Sequence, residues 1–232
     1  MKVRLGLLNK LSSLDTPQFQ NYWLQNHGPL VRSGLSNLRE YWQNHVVDRQ
    51  QRGIDFARGP WNFDGFSQLW FDDSASAHHA FNDGSFAAAL IADEAKFIDQ
   101  LLIVTAEQQV VIPLPEDPQR ARLLKRISTL RRPDGMSEAD FRHEWCVHGE
   151  FVKKMPGVSA YRQNVIIERE RVKGTPCDYK ELPMDGIVEL WFESEETLET
   201  AFSSEAGQRT MAHAKTFLSE ITAFLVKEHR IV

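Results

Sequence analysis

Short runs of alternating apolar and polar residues are separated by longer stretches with helical spacing, and the whole pattern occurs twice along the chain. Val3 to Lys10 and Leu123 to Leu130 read as first strands, and Gly65 to Phe71 and Gly186 to Phe192 as third strands, because the period of two puts neighbouring side chains on opposite faces. Between them, Phe19, Trp23 and His27 stand at i, i+4 and i+8, whereas Phe141, Trp145 and His148 stand at i, i+4 and i+7; each set lies on or near one stripe of a helix. Asp15-Thr16-Pro17 and Ser137 to Asp140 supply capping oxygens before those helices. Second strands hold Tyr41 and Tyr161, second helices follow the third strands, and last strands end near Val111 and Val232. The polar, Gly/Pro-punctuated segments Val47 to Phe63 and Ile166 to Met184 are predicted to be loops, in part a lid.

The recurrence extends to residues too uncommon to repeat by accident. His27-Gly28 returns as His148-Gly149, Tyr41-x-Gln43-Asn44 as Tyr161-x-Gln163-Asn164, and Asp64-Gly65 with Leu69-Trp70-Phe71 as Asp185-Gly186 with Leu190-Trp191-Phe192. Ala80-Phe81 matches Ala201-Phe202, and Glu107 matches Glu228. Tandem duplication is the reading, with units at 1–112 and 120–232. The three prolines of residues 113–119 deny both helix and central strand and mark the linker.

On the third strands, Leu69 and Phe71, with Val188, Leu190 and Phe192, are expected to meet the helices. Phe66, Gln68 and Trp70, with Ile187, Glu189 and Trp191, are expected to line a cavity between two sheets. Composition then narrows the partners. At 42% hydrophobic and 25% charged, with net charge −5, the chain reads as an ordered globular protein with no basic module for nucleic acid. Two cysteines, Cys146 and Cys177, make no disulfide framework. No apolar stretch is long enough to span a bilayer and no signal-peptide pattern opens the sequence, so a cytoplasmic location is expected.

The F-x3-W-x3-H-G helix, the Y-x-Q-N strand and the D-G-x2-E-L-W-F strand resemble the EthD family of the dimeric α+β barrel superfamily, over nearly the whole chain and twice. The resemblance implies an α+β fold: two ferredoxin-like βαββαβ repeats forming an intrachain pseudo-dimeric barrel, either monomeric or paired into a homodimer. It also implies similarity to small cofactor-free catalysts such as muconolactone-type isomerases and polyketide dehydratases. Two departures stand out: the residue missing between Trp145 and His148, and Gln68 where the family pattern, like Glu189, has an acid.

Within that frame the candidate catalytic groups are His27, Tyr41, His45, His148, Tyr161 and Glu189, and the candidate substrate-binding groups are Gln43, Phe66, Gln68, Trp70, Gln163, Ile187 and Trp191. The histidines would move protons near neutral pH and the tyrosines would hydrogen-bond a carbonyl or enolate. Glu189 beside Trp191 is expected to have a raised pKa. Alternation sends Asn44 and Asn164 to the face opposite Tyr41 and Tyr161, which is read as away from the substrate. Each group also has a structural reading, as a buried histidine, a packing aromatic or an ion pair. His143-Glu144 with His148 misses the zinc spacing by one residue, adjacent His78 and His79 diverge on a helix, and neither cysteine has an activating base nearby, so no metal or cofactor is expected. The reading is a cofactor-independent lyase or isomerase for a small, partly apolar carbonyl compound such as a lactone, aromatic catabolite or ketide. The alternatives are a non-catalytic ligand-binding or stress-associated accessory protein, and a haem-binding barrel.

Overall fold

The computed structural model describes residues 2–35, 37–71, 81 and 84–232; His78 and His79 lie outside these. The first repeat contains β1 (Lys2–Lys10), α1 (Thr16–Tyr22), α2 (Gly28–Gly34), β2 (Leu38–Asp48), β3 (Gly65–Phe71), α3 (Gly84–Glu94) and β4 (Ile98–Ile112). The second contains β5 (Leu124–Arg131), α4 (Glu138–Val152), β6 (Ala160–Val172), β7 (Thr175–Pro176), β8 (Gly186–Phe192), α5 (Glu195–Ser203), α6 (Glu205–Phe217) and β9 (Glu220–Arg230). The strands run β4-β1-β3-β2-β9-β5-β8-β6-β7, and β4 also pairs with β6, so eight strands close into a barrel and, among the described residues, only the short β7 stands at an edge. The halves meet at two equivalent antiparallel seams, β2 with β9 and β6 with β4. The expected intrachain pseudo-dimeric α+β barrel is what the chain builds.

One expected loop is partly strand. β6 continues through Ile166 to Val172 and pairs along β4 as far as Ile103 opposite Glu170. Its charged residues had suggested a loop, but on an outer seam of a barrel alternate side chains reach solvent, so a strand tolerates them.

The first helices differ in length by one residue, and the backbone absorbs the difference. Trp23–His27 forms a π-helical turn between α1 and α2, in which the Gly28 N–H donates to the Trp23 carbonyl. The one-residue expansion re-aims His27 so that it meets Phe97 as His148 meets Phe217 from the regular helix α4. Glycine permits the helix to lie this close to the sheet. A Cβ on Gly65 would fall 2.3 Å from the Trp23 ring, and one on Gly186 would fall 2.3 Å from the Trp145 ring. The recurring Asp-Gly pair therefore marks the place where an indole packs against backbone.

Register decides which side chains enter the barrel. Residues directly opposed on antiparallel strands share a face, and Tyr41 stands opposite Leu69 as Tyr161 stands opposite Leu190. Leu69 and Leu190 pack in the helix-facing clusters as expected. The barrel interior is filled by Leu5, Leu7, Phe66, Trp70, Ile127, Ile187 and Phe224, all buried. The expected cavity between sheets is thus a packed core, and the crevices described below lie between sheet and helices.

Candidate functional site

On the outer face of the barrel a three-residue hydrogen-bond unit is built twice. Trp23 Nε1 donates to Tyr41 Oη at 3.1 Å, and Gln43 Nε2 donates to the same oxygen at 3.1 Å and to the Trp23 carbonyl at 2.9 Å. Trp145, Tyr161 and Gln163 repeat it at 3.1, 2.9 and 2.6 Å. Each tyrosine oxygen accepts two bonds, which engages both lone pairs and leaves the hydroxyl hydrogen to point elsewhere. No described residue accepts that hydrogen. Burial pushes both phenols well above their usual pKa, against the pull of the bonded Gln and Trp. The hydroxyls are therefore neutral, fixed donors.

The histidines stand over the same crevices. His27 Nδ1 lies 2.9 Å from Asp93 Oδ2, and Tyr22 Oη donates to Asp93 Oδ1 at 2.6 Å. A carboxylate only accepts, so Nδ1 carries the proton in the neutral ring and Nε2 presents its lone pair. His148 Nδ1 lies 3.2 Å from Nδ1 of His213, whose Nε2 in turn sits 3.4 Å from Glu144 Oε2. Burial lowers the pKa of His27, although Asp93 raises it; burial and then His213 lower His148 to about 3. Both rings are neutral at physiological pH, and the expected charge switch near neutral pH is overturned, because burial moves their titration to lower pH.

Each tyrosine–histidine pair lines a narrow crevice of about 50 Å³. The first is bordered by Arg4, His27, Tyr41, Leu69, Glu94 and Lys173. The second is bordered by Ile54, Arg126, His148, Tyr161, Leu190 and Thr210. Each borrows from the opposite repeat: Lys173, beyond β6, reaches the first crevice, and Ile54, in the long segment after β2, reaches the second. The expected lid segments cross the seams.

The barrel wall divides the predicted site in two. His27, Tyr41, Gln43, His148, Tyr161 and Gln163 gather on the helix side. Phe66, Gln68, Trp70, Ile187, Glu189 and Trp191 point into the barrel, where Asn44 and Asn164 join them, reversing the expectation for the asparagines. His45 is on the helix side but serves the unit indirectly. It stacks on Trp23 at 4.7 Å, and its Nε2 sits 3.0 Å from Gln43 Oε1, which fixes the amide so that Nε2 faces Tyr41. Inside the barrel, Lys125 Nζ contacts Glu189 Oε2 at 2.6 Å, Asn44 Oδ1 at 2.8 Å, and Gln68 Oε1 and Glu228 Oε1 at 3.0 Å. Asn164 donates to Glu189 Oε1 at 2.8 Å. Burial alone would raise Glu189, but Lys125, Arg162 and Asn164 hold it below the usual carboxylate range, so the expected raised pKa is overturned. Glu189 is the counter-ion of a buried lysine, and the sheet separates it from His148 and Tyr161.

Two segments of the chain, residues 11–101 and 133–220, match the EthD domain model. The chain belongs to the EthD family. A curated relative, the 4-carboxymethyl-4-methylbutenolide mutase of Pseudomonas reinekei, is 30% identical over 111 residues, which is 46% of this chain and 98% of the mutase. Among solved structures, an anthrone oxidase-like protein superposes with a TM-score of 0.68 at 10% identity, covering 99% of this chain and 93% of its own. A dye-decolorizing peroxidase from Bacteroides thetaiotaomicron gives 0.56 at 8% identity, covering 97% and 92%. At these identities the solved structures speak for the fold alone.

The two EthD repeats are not equivalent. Asp93 and His213 hold matching places one turn before Phe97 and Phe217, so one histidine faces a carboxylate and the other a second imidazole. Arg4 and Arg126 also match, each opposite a helix-facing leucine of the third strand, Leu69 or Leu190, and each with its guanidinium 4.9 Å from a phenylalanine ring, Phe81 or Phe202. Arg4, Asp93, Arg126 and His213 were missed by sequence reasoning. For the arginines a signal existed, since both recur on the helix-facing alternation of the first strand. The interior register also pairs Gln108, not Glu107, with the place of Glu228, because Ala106 and Val226 stand opposite the matching positions Val3 and Lys125.

The buried histidines make stability pH-dependent. An unfolded histidine takes up its proton near pH 6.5, whereas His148 and His45, both near 3, stay neutral in the fold. The unfolded state therefore binds more protons between those limits, and stability falls as pH drops through that window. Each such histidine is expected to cost about 2 kcal/mol on going from about pH 7.5 to about pH 5. Urea unfolding at the two pH values checks it, and His148→Gln should remove one histidine's share of the slope.

Proposed function

We propose that this EthD protein is an isomerase or lyase that moves a proton on a small, partly apolar carbonyl compound of the lactone type, in the crevices between barrel and helices. The observation that carries the reading is the twice-built tyrosine hydroxyl, whose lone pairs are both engaged and whose hydrogen is left for a ligand beside a neutral histidine. The donor would hold the substrate carbonyl as negative charge develops on its oxygen, in a site with little water. The imidazole would take a proton from the γ-carbon of the conjugated lactone and return it, through the delocalised dienolate, to the carbon next to the carbonyl. Proton loss and gain balance within the substrate, so isomerisation consumes no co-reactant. The relative's name, which describes a butenolide mutase, points to the same class of substrate.

A haem reading has less support. The larger cleft of about 680 Å³ near the linker is lined by Trp42, Arg120, Glu228 and Arg230, with no histidine in its described lining.

The test is turnover of carboxymethyl-substituted butenolides, followed by proton NMR in deuterated water. Wild-type protein is expected to remove the ring γ-proton and deliver a proton or deuteron to the carbon next to the carbonyl. The His27→Gln/His148→Gln double variant should do so at least about a hundredfold more slowly. Folded wild-type protein that neither exchanges nor isomerises any of them would favour the accessory-protein reading and sink this one.

A further inference from the structure

Arg126 is buried, at 3% exposure, on the helix-facing side of β5. Its Nη1 donates to the Arg52 carbonyl at 2.8 Å, its Nε to Ser128 Oγ at 3.3 Å, and its guanidinium lies over the Phe202 ring. Among the described residues no carboxylate stands within ion-pair distance of it. Its counterpart Arg4 is different: Glu170 from the opposite repeat grips it with two bonds, at 2.7 and 3.1 Å. One crevice thus carries its own counter-ion and the other presents a cation without one.

A guanidinium stripped of water and given no anion is costly, and burial alone pulls Arg126 down to about 10, still charged at neutral pH. Its planar fork matches a carboxylate, and it borders the same crevice as His148 and Tyr161. We propose that the second crevice selects organic monoanions: Arg126 holds a substrate carboxylate while His148 and Tyr161 face the carbonyl end of the same molecule. This rests on the reading of the crevice as the reaction site and adds the charge of the substrate and the repeat that takes it. The first crevice, with Arg4 already neutralised, lacks that selection.

The probes are a γ-butenolide bearing an acetate arm and its methyl ester, titrated into the full chain by calorimetry. Wild-type protein is expected to bind the acid at least about tenfold more tightly than the ester. Arg126→Met should abolish the difference. Ile54→Glu, a change on a peripheral segment that would set a carboxylate in the same crevice, should abolish it too, with Arg126 left in place. Equal binding of acid and ester by wild-type protein, binding of neither at millimolar concentration, or a preference that survives both variants would overturn the proposal. Acid-selective binding lost in both variants, in a protein that turns over no butenolide, would uphold the anion site and remove the proton-transfer reading. Turnover of acid and ester with equal kcat/KM would do the reverse.

Discussion

Lys125→Met is expected to destabilise the chain by about 3–5 kcal/mol, because it removes the ammonium in direct contact with the buried Glu189 carboxylate at the centre of the barrel. For a chain of this length that is a drop in Tm on the order of 10 °C. The lysine touches groups from both repeats, Asn44 and Gln68 from the first and Glu189 and Glu228 from the second, so its loss also loosens the seam between them. The sign with pH is distinctive. Without Lys125 the strongest pull holding Glu189 ionised is gone and burial pushes its pKa upward from the wild-type value, so the variant's deficit relative to wild type narrows as the medium is acidified. Adding Glu189→Gln to Lys125→Met should restore part of the stability at neutral pH. Thermal and urea unfolding of the three proteins measure this, and a single-variant loss below about 1 kcal/mol would mean the charges are not packed as described.

Tyr41→Phe and Tyr161→Phe should lower kcat on a butenolide substrate by about 10²–10³ in whichever crevice performs the reaction, with much less effect on KM. A stability change also follows, because the partner N–H groups of Trp and Gln lose an acceptor in the core; about 1–3 kcal/mol is expected for each replacement. The two effects separate in a steady-state assay well below the melting temperature. Because Arg126 and Arg4 differ in their counter-ions, an anionic substrate should be affected by Tyr161→Phe and hardly by Tyr41→Phe. Equal kcat in both single variants and in the double variant would remove tyrosine from the chemistry.

The repeat, the strand and helix order and the closed barrel were legible because Trp, His, Tyr and Gly recur in step, and each has a physical duty here. Gly65 and Gly186 make room for an indole, and His27 and His148 hold matching places although one residue separates their spacings. Alternation correctly separated the two faces of β3 and of β8. It could not say which face of β2 or β6 belongs with which, because that depends on register: a slip of one residue exchanges the faces, and only the pairing of Tyr41 with Leu69 ties the strands together. That missing link is why Glu189, His148 and Tyr161 were placed in one pocket when a sheet lies between them. Lys125 was invisible for a related reason. A lysine on a first strand reads as a solvated end, and its burial follows from the closure of β5 against β9 beside the β2 seam, a contact between distant parts of the chain.

The account stands on the location of the chemistry, on the helix side of the barrel wall. A crystal structure of the protein with the acetate-bearing butenolide bound should place the lactone carbonyl within hydrogen-bond distance of a tyrosine Oη and its ring beside His148 or His27. A ligand seated inside the barrel against Glu189 and Lys125, with the tyrosine crevices closed and filled by side chains, would contradict it.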